Sequence, residues 1–569
     1  MSFSESAADL TTSRTEKLWW LILLALTGLN CAFQIAWFWH FHSRSINMDG
    51  INYIGLARHL VDGNWKQSLH GYWSPLTSWM IAAASMFDRN LFGRNFTRVG
   101  HVVTIGSFLM CLPLLYRLAF QLWRSRTAAA LAVFWFSTGR GFIENAVEGV
   151  LADFVLTACV LLYFVLLLKA IRGGKSSTWL FLGAAHGVAF LAKAIALPWL
   201  SISTVLALVL KNARSPRRLV SSFLLAFVFP AIVWASWGTI LRTKYGVFTT
   251  GYQLRANLMV NWGRWQSHRL LGDQLAFTDL SSYYDNYMVG ERPWSSIHSF
   301  GLRNPALLKM IVATEIRTLP QAAKETTILM TPAGALAFPV MLLLLIRKFR
   351  QNESEAAFAV IALISALSLI VAYCMLVFDG RYVTPIATIL IAVGCPLVLP
   401  SQLAPDSPYV VPWAQKSAMG LFAASVVFFA VYGASPFRTA SRDYEMSCYQ
   451  AAAVLQNEKA AGTLVSLGDG PYPEHGVGFE AGAYAAYFAG WRVVASNYAL
   501  PAVSDAGNLA AKALAVHADA IAVWGSPPDP RYTQLLEAIR RAPELASGNA
   551  VFDPYTGEVG TLFLFQYQN

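Results

Sequence analysis

Long apolar runs recur along most of this 569-residue chain, and they constrain its fold more than any other feature. A run of about 20 apolar residues is long enough to cross the hydrocarbon core of a bilayer as a helix. Only 13% of the residues are charged, against about a quarter in soluble domains. The sequence therefore predicts a polytopic α-helical membrane protein with about eleven spans. These are residues 18–39, 97–119, 127–143, 149–170, two spans within 178–210, 219–241, 327–346, 356–377, 383–399 and 416–433.

Lysine and arginine cluster in short loops that share one side of an eleven-span arrangement. These basic clusters are residues 117–126, 169–175, 211–218 and 347–350. Since basic loops stay in the cytoplasm, the N-terminal tail, residues 1–17, is predicted to be cytoplasmic and the C-terminus to lie outside. The loops 40–80 and 242–325 then face outward. The net charge of +11 follows from this topology and does not indicate nucleic-acid binding.

The last part of the chain, residues 436–569, differs in kind from the transmembrane domain at 18–435. Helix-like stretches alternate there with short apolar strands, which predicts a small extracytoplasmic α/β domain. The Gly-Asp-Gly at 468–470 matches neither a dinucleotide fingerprint nor a P-loop, so a structural lid is favoured over nucleotide binding. The predicted strands are Thr463–Leu467, Arg492–Ser496, Ala518–Trp524 and Thr561–Phe565.

Ionisable residues gather at the outer ends of separate predicted spans. No charge is obvious at mid-depth, where a permease would more often carry it, so an outward-facing site is favoured over a transport path. One of these residues, Asp49, is followed by apolar residues at helical spacing over 51–61. That stretch predicts a short amphipathic helix lying along the bilayer surface. The six outer ionisable residues are Asp49, Glu144, Glu148, Asp153, Lys193 and Arg381.

Six short motifs follow one another along residues 45–400. They are Asp49 with Tyr53, Ala57-Arg58 and Gly63; Ser74-Pro75-Leu76 with Trp79; Phe92-Gly93 with Arg98; Leu151-Ala152-Asp153; Gly183 and Gly187 with Leu191-Ala192-Lys193; and Arg381-Tyr382 with Pro385. In this order they resemble the GT-C fold glycosyltransferases, close to the protein O-mannosyltransferases and lipid A aminoarabinose transferases. Two positions depart from that pattern: Gly50 replaces a second acidic residue, and Ser74 replaces the first proline of a turn.

Enzymes of that family take a sugar from a polyprenyl-phosphate lipid and pass it to a hydroxyl group. The resemblance therefore implies such a donor, and an envelope glycan, glycolipid or protein as acceptor, at the outer face of a bacterial inner (plasma) membrane. It makes Asp49 the candidate general base, with Asp153 as a second catalytic carboxylate. With one base and attack opposite the leaving group, the configuration at the sugar would invert.

Positive charge is needed where the phosphate leaves, and Lys193 and Arg381 are the candidates for that role. Tyr53, Arg58 and Tyr382 are candidate substrate contacts. No cofactor is required, and no metal site is predicted. A divalent ion shared by the two aspartates is open, although no ligand spacing demands one.

Plainer alternatives stay open for the same residues. The aspartates could cap helices, Lys193 could reach along a helix to the interface, Arg381 could be an ordinary loop cation, and Arg58 could contact lipid headgroups. For the whole protein, two other functions remain: a transporter or flippase of a lipid-linked sugar, and a noncatalytic membrane scaffold whose tail binds a partner.

Overall fold

The structure is a computed structural model. It describes residues 14–43, 46, 48–87, 96–139, 149–212, 215–251, 253, 305–330, 354–374, 380–398, 420, 444–458, 461–467, 478–497, 513–515, 517–525, 530–541, 549–552 and 559–564.

Helices dominate these residues, and strands occur only toward the C-terminus of the described chain. The longer helices are α1 (Arg14–His42), α2 (Met48–Val61), α3 (Pro75–Phe87), α4 (Phe96–Trp123), α5 (Arg126–Thr138), α6 (Asp153–Ile171), α7 (Ser176–Ala192), α8 (Ala196–Asn212), α9 (Pro216–Tyr245), α10 (Pro305–Met330), α11 (Ser354–Cys374), α12 (Thr384–Gly394), α13 (Tyr444–Glu458), α14 (Gly478–Ala489) and α15 (Pro530–Arg540). The strands are β1 (Thr463–Leu467), β2 (Arg492–Asn497), β3 (Ala520–Gly525), β4 (Asn549–Phe552) and β5 (Val559–Leu564).

Five of the described helices, α1, α4, α6, α9 and α11, are long and apolar enough to cross a membrane. Helices α7 and α8 and the segment Gly380–Gly394 are apolar but shorter. Helix α5, Arg126–Thr138, covers residues 127–138 of the predicted span 127–143. The predicted spans 327–346 and 416–433 fall mostly outside the described residues, so the count of about eleven stays a prediction.

Helix α6 lies at the centre of the bundle. It is apolar all round, without a polar face, and such a helix is stable only when neighbours cover every side. The ring of Phe154 near its start packs against Phe108 of α4 at 5.3 Å between centroids, and Phe108 also contacts Phe136 of α5 at 5.6 Å. The first residue of this buried helix is Asp153.

Helix α7 packs closely on α9 because two glycines face it. A Cβ on Gly183 would lie 2.5 Å from the carbonyl oxygen of Ala226, closer than atoms can approach. A Cβ on Gly187 would meet the side chains of Phe229 and Val233 at 3.0 and 3.2 Å. This contact fixes the position of α7, and therefore of Lys193 directly after it.

The amphipathic helix predicted beside Asp49 is present as α2, which confirms its helical structure. Its apolar side is buried: Ile54 and Ala57 are fully inaccessible, and Tyr53 and Leu56 nearly so. The residues of α2 thus pack against the bundle through one side, at helical spacing.

The C-terminal strands form one mixed sheet in the order β2-β1-β3-β5-β4. Strand β1 is parallel to β2 and to β3, whereas β5 runs antiparallel to β3 and to β4. The four predicted strands are present: β1 has the predicted ends, and the ends of the other three differ by at most two residues. The fifth strand, β4, has only four residues and no alternating pattern long enough to indicate it.

Candidate active site

Four chain segments bring charged side chains together at one end of the bundle. Asp49 is in the first turn of α2, Asp153 begins α6, Lys193 follows the end of α7, and Arg381 lies in the 3-10 turn Gly380–Val383 before α12. These are four of the six outer ionisable residues selected from the sequence. The other two, at positions 144 and 148, lie outside the described residues.

The four side chains form a line of alternating charge. A guanidinium nitrogen of Arg381, Nη2, donates to Oδ2 of Asp49 at 2.7 Å. Its Nε lies 4.0 Å from Oδ2 of Asp153. The Lys193 ammonium donates to the other oxygen of Asp153, Oδ1, at 2.5 Å. The formal charges of this four-charge site sum to zero, as is usual for buried ions that must be paired.

Exposure differs along that line. The side chain of Asp153 is 2% exposed, those of Lys193 and Arg381 are 10% exposed, and that of Asp49 is 28% exposed. Asp49 is therefore the end of the site that an incoming molecule meets, whereas Asp153 is enclosed between the two cations.

Local structure explains each position. Asp153 begins α6, where the positive end of the helix dipole favours a carboxylate. Helix α7 ends at Ala192, and Lys193 takes an extended conformation that turns the chain toward α8. The backbone N–H of the next residue, Ala194, donates to the Ser74 hydroxyl at 3.1 Å. A proline at position 74, which the family pattern has, could not accept that bond.

Aromatic rings form one wall of the site. The ring of Tyr382 lies below both cations, with its centroid 4.3 Å from the Lys193 ammonium and 5.3 Å from the Arg381 guanidinium carbon. The ring of Tyr373, in α11, stacks on Tyr382 at 4.5 Å and 20°. Cations over aromatic faces are stabilised by the ring quadrupole, so these rings hold the two cations in place.

Tyr53, a predicted substrate contact, lies behind Asp49 on α2 and packs against the ring of Trp73 at 5.4 Å. Burial raises the pKa of the Tyr53 phenol well above its ordinary value of 10, and the nearby carboxylates of Asp49 and Asp153 raise it further. The phenol therefore stays protonated at neutral pH, as a hydrogen-bond donor and not as a base.

Arg58, the other substrate contact predicted on α2, lies away from the four-charge site. It is nine residues beyond Asp49, or about 13 Å along the helix axis. Its guanidinium carbon lies between two rings, 5.3 Å from the centroid of Phe96 and 5.1 Å from that of Tyr487 in α14. The structure thus places Arg58 in a contact between α2, α4 and the sheet region.

The loop between α2 and α3 is tied to the end of α9. The Lys244 ammonium donates to the carbonyl of Leu69 at 2.7 Å, and the Gly71 N–H donates to the Tyr245 hydroxyl at 3.1 Å. These bonds hold the segment that carries Trp73 and Ser74 beside the site.

The sequence leaves open whether the two aspartates share a metal ion. Among the described residues, no group of three or more His, Cys, Asp and Glu side chains could hold a metal ion. The Arg381 guanidinium lies between the carboxylates of Asp49 and Asp153. A divalent ion shared by these carboxylates would therefore have to displace it.

The described residues thus form a bundle of apolar helices with charged groups gathered at one end, and a sheet region that contacts this bundle at α2 and α4. Comparison with solved structures confirms the resemblance at the level of the fold. ArnT from Cupriavidus metallidurans, an aminoarabinose transferase, matches in its apo state with a TM-score of 0.56 and 13% identity, over 95% of this chain and 97% of that chain. The same protein bound to undecaprenyl phosphate matches with a TM-score of 0.54 and 12% identity, over 96% and 98% of the two chains.

An archaeal oligosaccharyltransferase has a similar structure. AglB from Archaeoglobus fulgidus, in complex with an inhibitory peptide and a dolichol-phosphate, matches with a TM-score of 0.56 and 12% identity, over 96% of this chain and 74% of that chain. Comparisons with family models and with curated proteins give no match.

Two features of the site were not indicated by the sequence. Ser74 was noted only as a departure from the family pattern, although it accepts the hydrogen bond beside Lys193. Tyr373 lies within an apolar run of the sequence that predicts a span. A single tyrosine near the outer end of such a span is the signal that points to it, because a buried phenol needs a polar partner.

Proposed function

We propose that this protein is a glycosyltransferase that moves a sugar from a polyprenyl-phosphate-linked donor to an acceptor hydroxyl at the outer face of the membrane. The observation that carries the proposal is the meeting of Asp49, Asp153, Lys193 and Arg381 at one end of a GT-C bundle. Solved structures with this fold hold undecaprenyl phosphate or dolichol-phosphate, both of which are phosphorylated polyprenyl lipids.

Asp49 is the general base in this proposal. Its carboxylate is the most exposed of the four charged groups, so an acceptor hydroxyl can reach it. The hydroxyl oxygen forms a bond to the anomeric carbon while its proton passes to Asp49. The bond from that carbon to the phosphate oxygen breaks on the opposite side, so the configuration inverts.

Lys193 and Arg381 stabilise the leaving group. The electron pair of the broken bond goes to the phosphate oxygen, and two fixed cations favour the charge that develops there. Both cations already lie beside the Asp153 carboxylate and over the Tyr382 ring. These contacts limit how far the two cations have to move during the reaction. Asp153 is enclosed between them and is a positioning residue in this scheme, in place of the second catalytic carboxylate expected from the sequence.

A transfer assay tests the proposal. The purified protein is reconstituted in liposomes with radiolabelled polyprenyl-phosphate sugars and an envelope extract as acceptor. We expect label to move from the lipid to an acceptor glycan, glycolipid or protein, and to stop moving with Asp49→Asn. The matched control is Asp62→Asn, which removes an exposed carboxylate just beyond the other end of α2.

Two results contradict the proposal. If the labelled lipid crosses the bilayer intact and is never cleaved, the protein is a flippase. If Asp49→Asn transfers sugar as well as the unaltered protein does, the site lies elsewhere.

A further inference from the structure

The cations proposed to bind the donor phosphate already have carboxylate partners. Lys193 is paired with Asp153, and Arg381 lies between Asp153 and Asp49. A phosphate that enters this site must therefore compete with a carboxylate for a cation. The structure indicates which of these ion pairs gives way.

The pair between Arg381 and Asp49 is the one that can exchange at least cost. The carboxylate of Asp153 is enclosed, so breaking its bond to Lys193 would leave a buried charge without its nearest partner. Asp49 is 28% exposed, and water can solvate its carboxylate once Arg381 is withdrawn.

Charge balance leads to the same pair. The four-charge site is formally neutral, which does not favour an anion. When Asp49 is set aside, two cations and one carboxylate remain, with a formal charge of +1. That charge matches the single negative charge of a sugar phosphodiester.

We infer that the donor phosphate replaces Asp49 on Arg381, and that this exchange releases the Asp49 carboxylate to act as the base. Before the exchange, Oδ2 of Asp49 accepts a hydrogen bond from the guanidinium, and the lone pair that holds this bond cannot also take a proton from an acceptor hydroxyl. The catalytic half of this inference rests on the proposed function, whereas the exchange itself concerns only phosphate binding. Its consequence is an order of events in which the donor binds before the acceptor is activated.

The exchange predicts that removing the candidate base strengthens phosphate binding. With Asp49→Asn, Arg381 no longer has to leave a carboxylate, so undecaprenyl phosphate should bind about two- to fivefold more tightly. The measurement is a titration of the full-length protein, in nanodiscs of phosphatidylcholine, with undecaprenyl phosphate.

A double-mutant cycle separates exchange from a general effect of charge. In an Arg381→Gln background, Asp49→Asn should leave the affinity unchanged, because Asp49 then has no guanidinium to hold. If loss of negative charge alone were responsible, the same tightening would appear in both backgrounds. Asp62→Asn, just beyond the other end of α2, is the control for the loss of a negative charge elsewhere. Unchanged elution from a sizing column and unchanged thermal stability check that each variant is folded.

The exchange is overturned if Asp49→Asn binds undecaprenyl phosphate no more tightly than the unaltered protein, or tightens binding equally in both backgrounds. Because the titration requires no sugar transfer, its outcome is independent of the transfer assay. If the protein transfers sugar but Asp49→Asn does not tighten binding specifically where Arg381 is present, only the exchange is rejected. If Asp49→Asn tightens binding only where Arg381 is present and no sugar is transferred, the exchange stands and the glycosyltransferase is rejected.

Discussion

Two aspartates in the first turns of different helices have different environments here, and the environment separates their roles. Asp153 is enclosed and touches two cations, so it has no free approach for a substrate. Asp49 has one cation partner and an exposed side. A proton acceptor must be reachable by the acceptor hydroxyl, and for this reason we propose Asp49 as the base and Asp153 as a positioning residue.

Asp49→Asn should lower the rate of sugar transfer by about 10²-fold or more, because the amide cannot take the proton of the acceptor. The side chains have nearly the same shape, so the yield of folded protein should not change. The measurement is the initial rate at saturating donor, with Asp62→Asn as the control. Transfer within about twofold of the unaltered rate would reject the assignment of the base.

Arg381→Lys should raise the KM for the donor and lower kcat, by about tenfold each, although the charge is kept. The guanidinium donates through Nη2 to Asp49 while its Nε lies 4.0 Å from Asp153, and a lysine ammonium is a single point charge that cannot approach both carboxylates in this way. Steady-state kinetics measure the two constants. Arg217→Lys replaces an exposed arginine in the same way and should be neutral. An equal effect of both substitutions would show that the guanidinium of Arg381 has no special role.

The sequence was sufficient to select four charged residues that the structure brings together, but not their pairing. Asp49 and Arg381 are 332 residues apart, and only the packing of four segments decides which oxygen meets which nitrogen. The position of Arg58 depends likewise on Tyr487, a residue of the sheet region. Contacts of that range leave no periodic signal in the chain.

At the scale of elements, helix α2 is held at both ends. Arg381 binds Asp49 in its first turn, and the rings of Phe96 and Tyr487 enclose Arg58 in its last turn. The Tyr487 hydroxyl also shares a hydrogen bond of 2.5 Å with Thr97 of α4. Helix α14 of the sheet region therefore contacts the helix that carries the candidate base.

Tyr487→Ala should lower kcat about three- to tenfold and leave the donor KM nearly unchanged. The substitution removes a ring beside Arg58 and so frees the far end of α2, but it leaves Lys193 and Arg381 in place. Tyr487→Phe keeps the ring over Arg58 and loses only the bond to Thr97, so it should stay near the unaltered rate. The kinetics of the two variants are compared. Equal losses in both would assign the effect to the hydroxyl and not to the ring.

Periodicity predicted the helices and strands better than their ends. Helix α10 occupies Pro305–Met330, much of which belongs to the section predicted as a polar outer loop at 242–325. Its sequence mixes charged and apolar residues, so it contains no apolar run long enough to predict a transmembrane helix that begins in this section. The sequence also did not predict the close contact of α7 with α9, because a pattern of glycines does not show which helix packs against it.

Gly183→Ala should destabilise the protein by about 1–3 kcal/mol, because the new methyl group would meet the backbone of Ala226 and force α7 away from α9. The midpoint of thermal unfolding in detergent reports the change. Gly106→Ala is the control: Gly106 also lies in a spanning helix, α4, and a Cβ there has no neighbour within 4 Å. An equal loss for both would refute the packing argument.

At the scale of the whole molecule, helix α2 joins the four-charge site to the sheet region. Helix α2 carries Asp49 at one end, and at the other end it contacts α14 of the sheet region through Arg58 and Tyr487. We expect such a site to serve one face of the membrane. The side it faces decides which leaflet supplies the donor and which compartment supplies the acceptor.

The predicted topology places that face outside. The basic clusters in the short loops assign the opposite ends of the helices to the cytoplasm, so position 448 should lie outside and positions 217 and 347 inside. Single-cysteine variants, with the other cysteines replaced, are labelled in intact cells with a membrane-impermeant maleimide. We expect Cys448 to react at once, and Arg217→Cys and Arg347→Cys to react only after the membrane is opened. A cytoplasmic position 448 would turn the site toward the inner leaflet, and an acceptor in the outer envelope could then no longer reach Asp49.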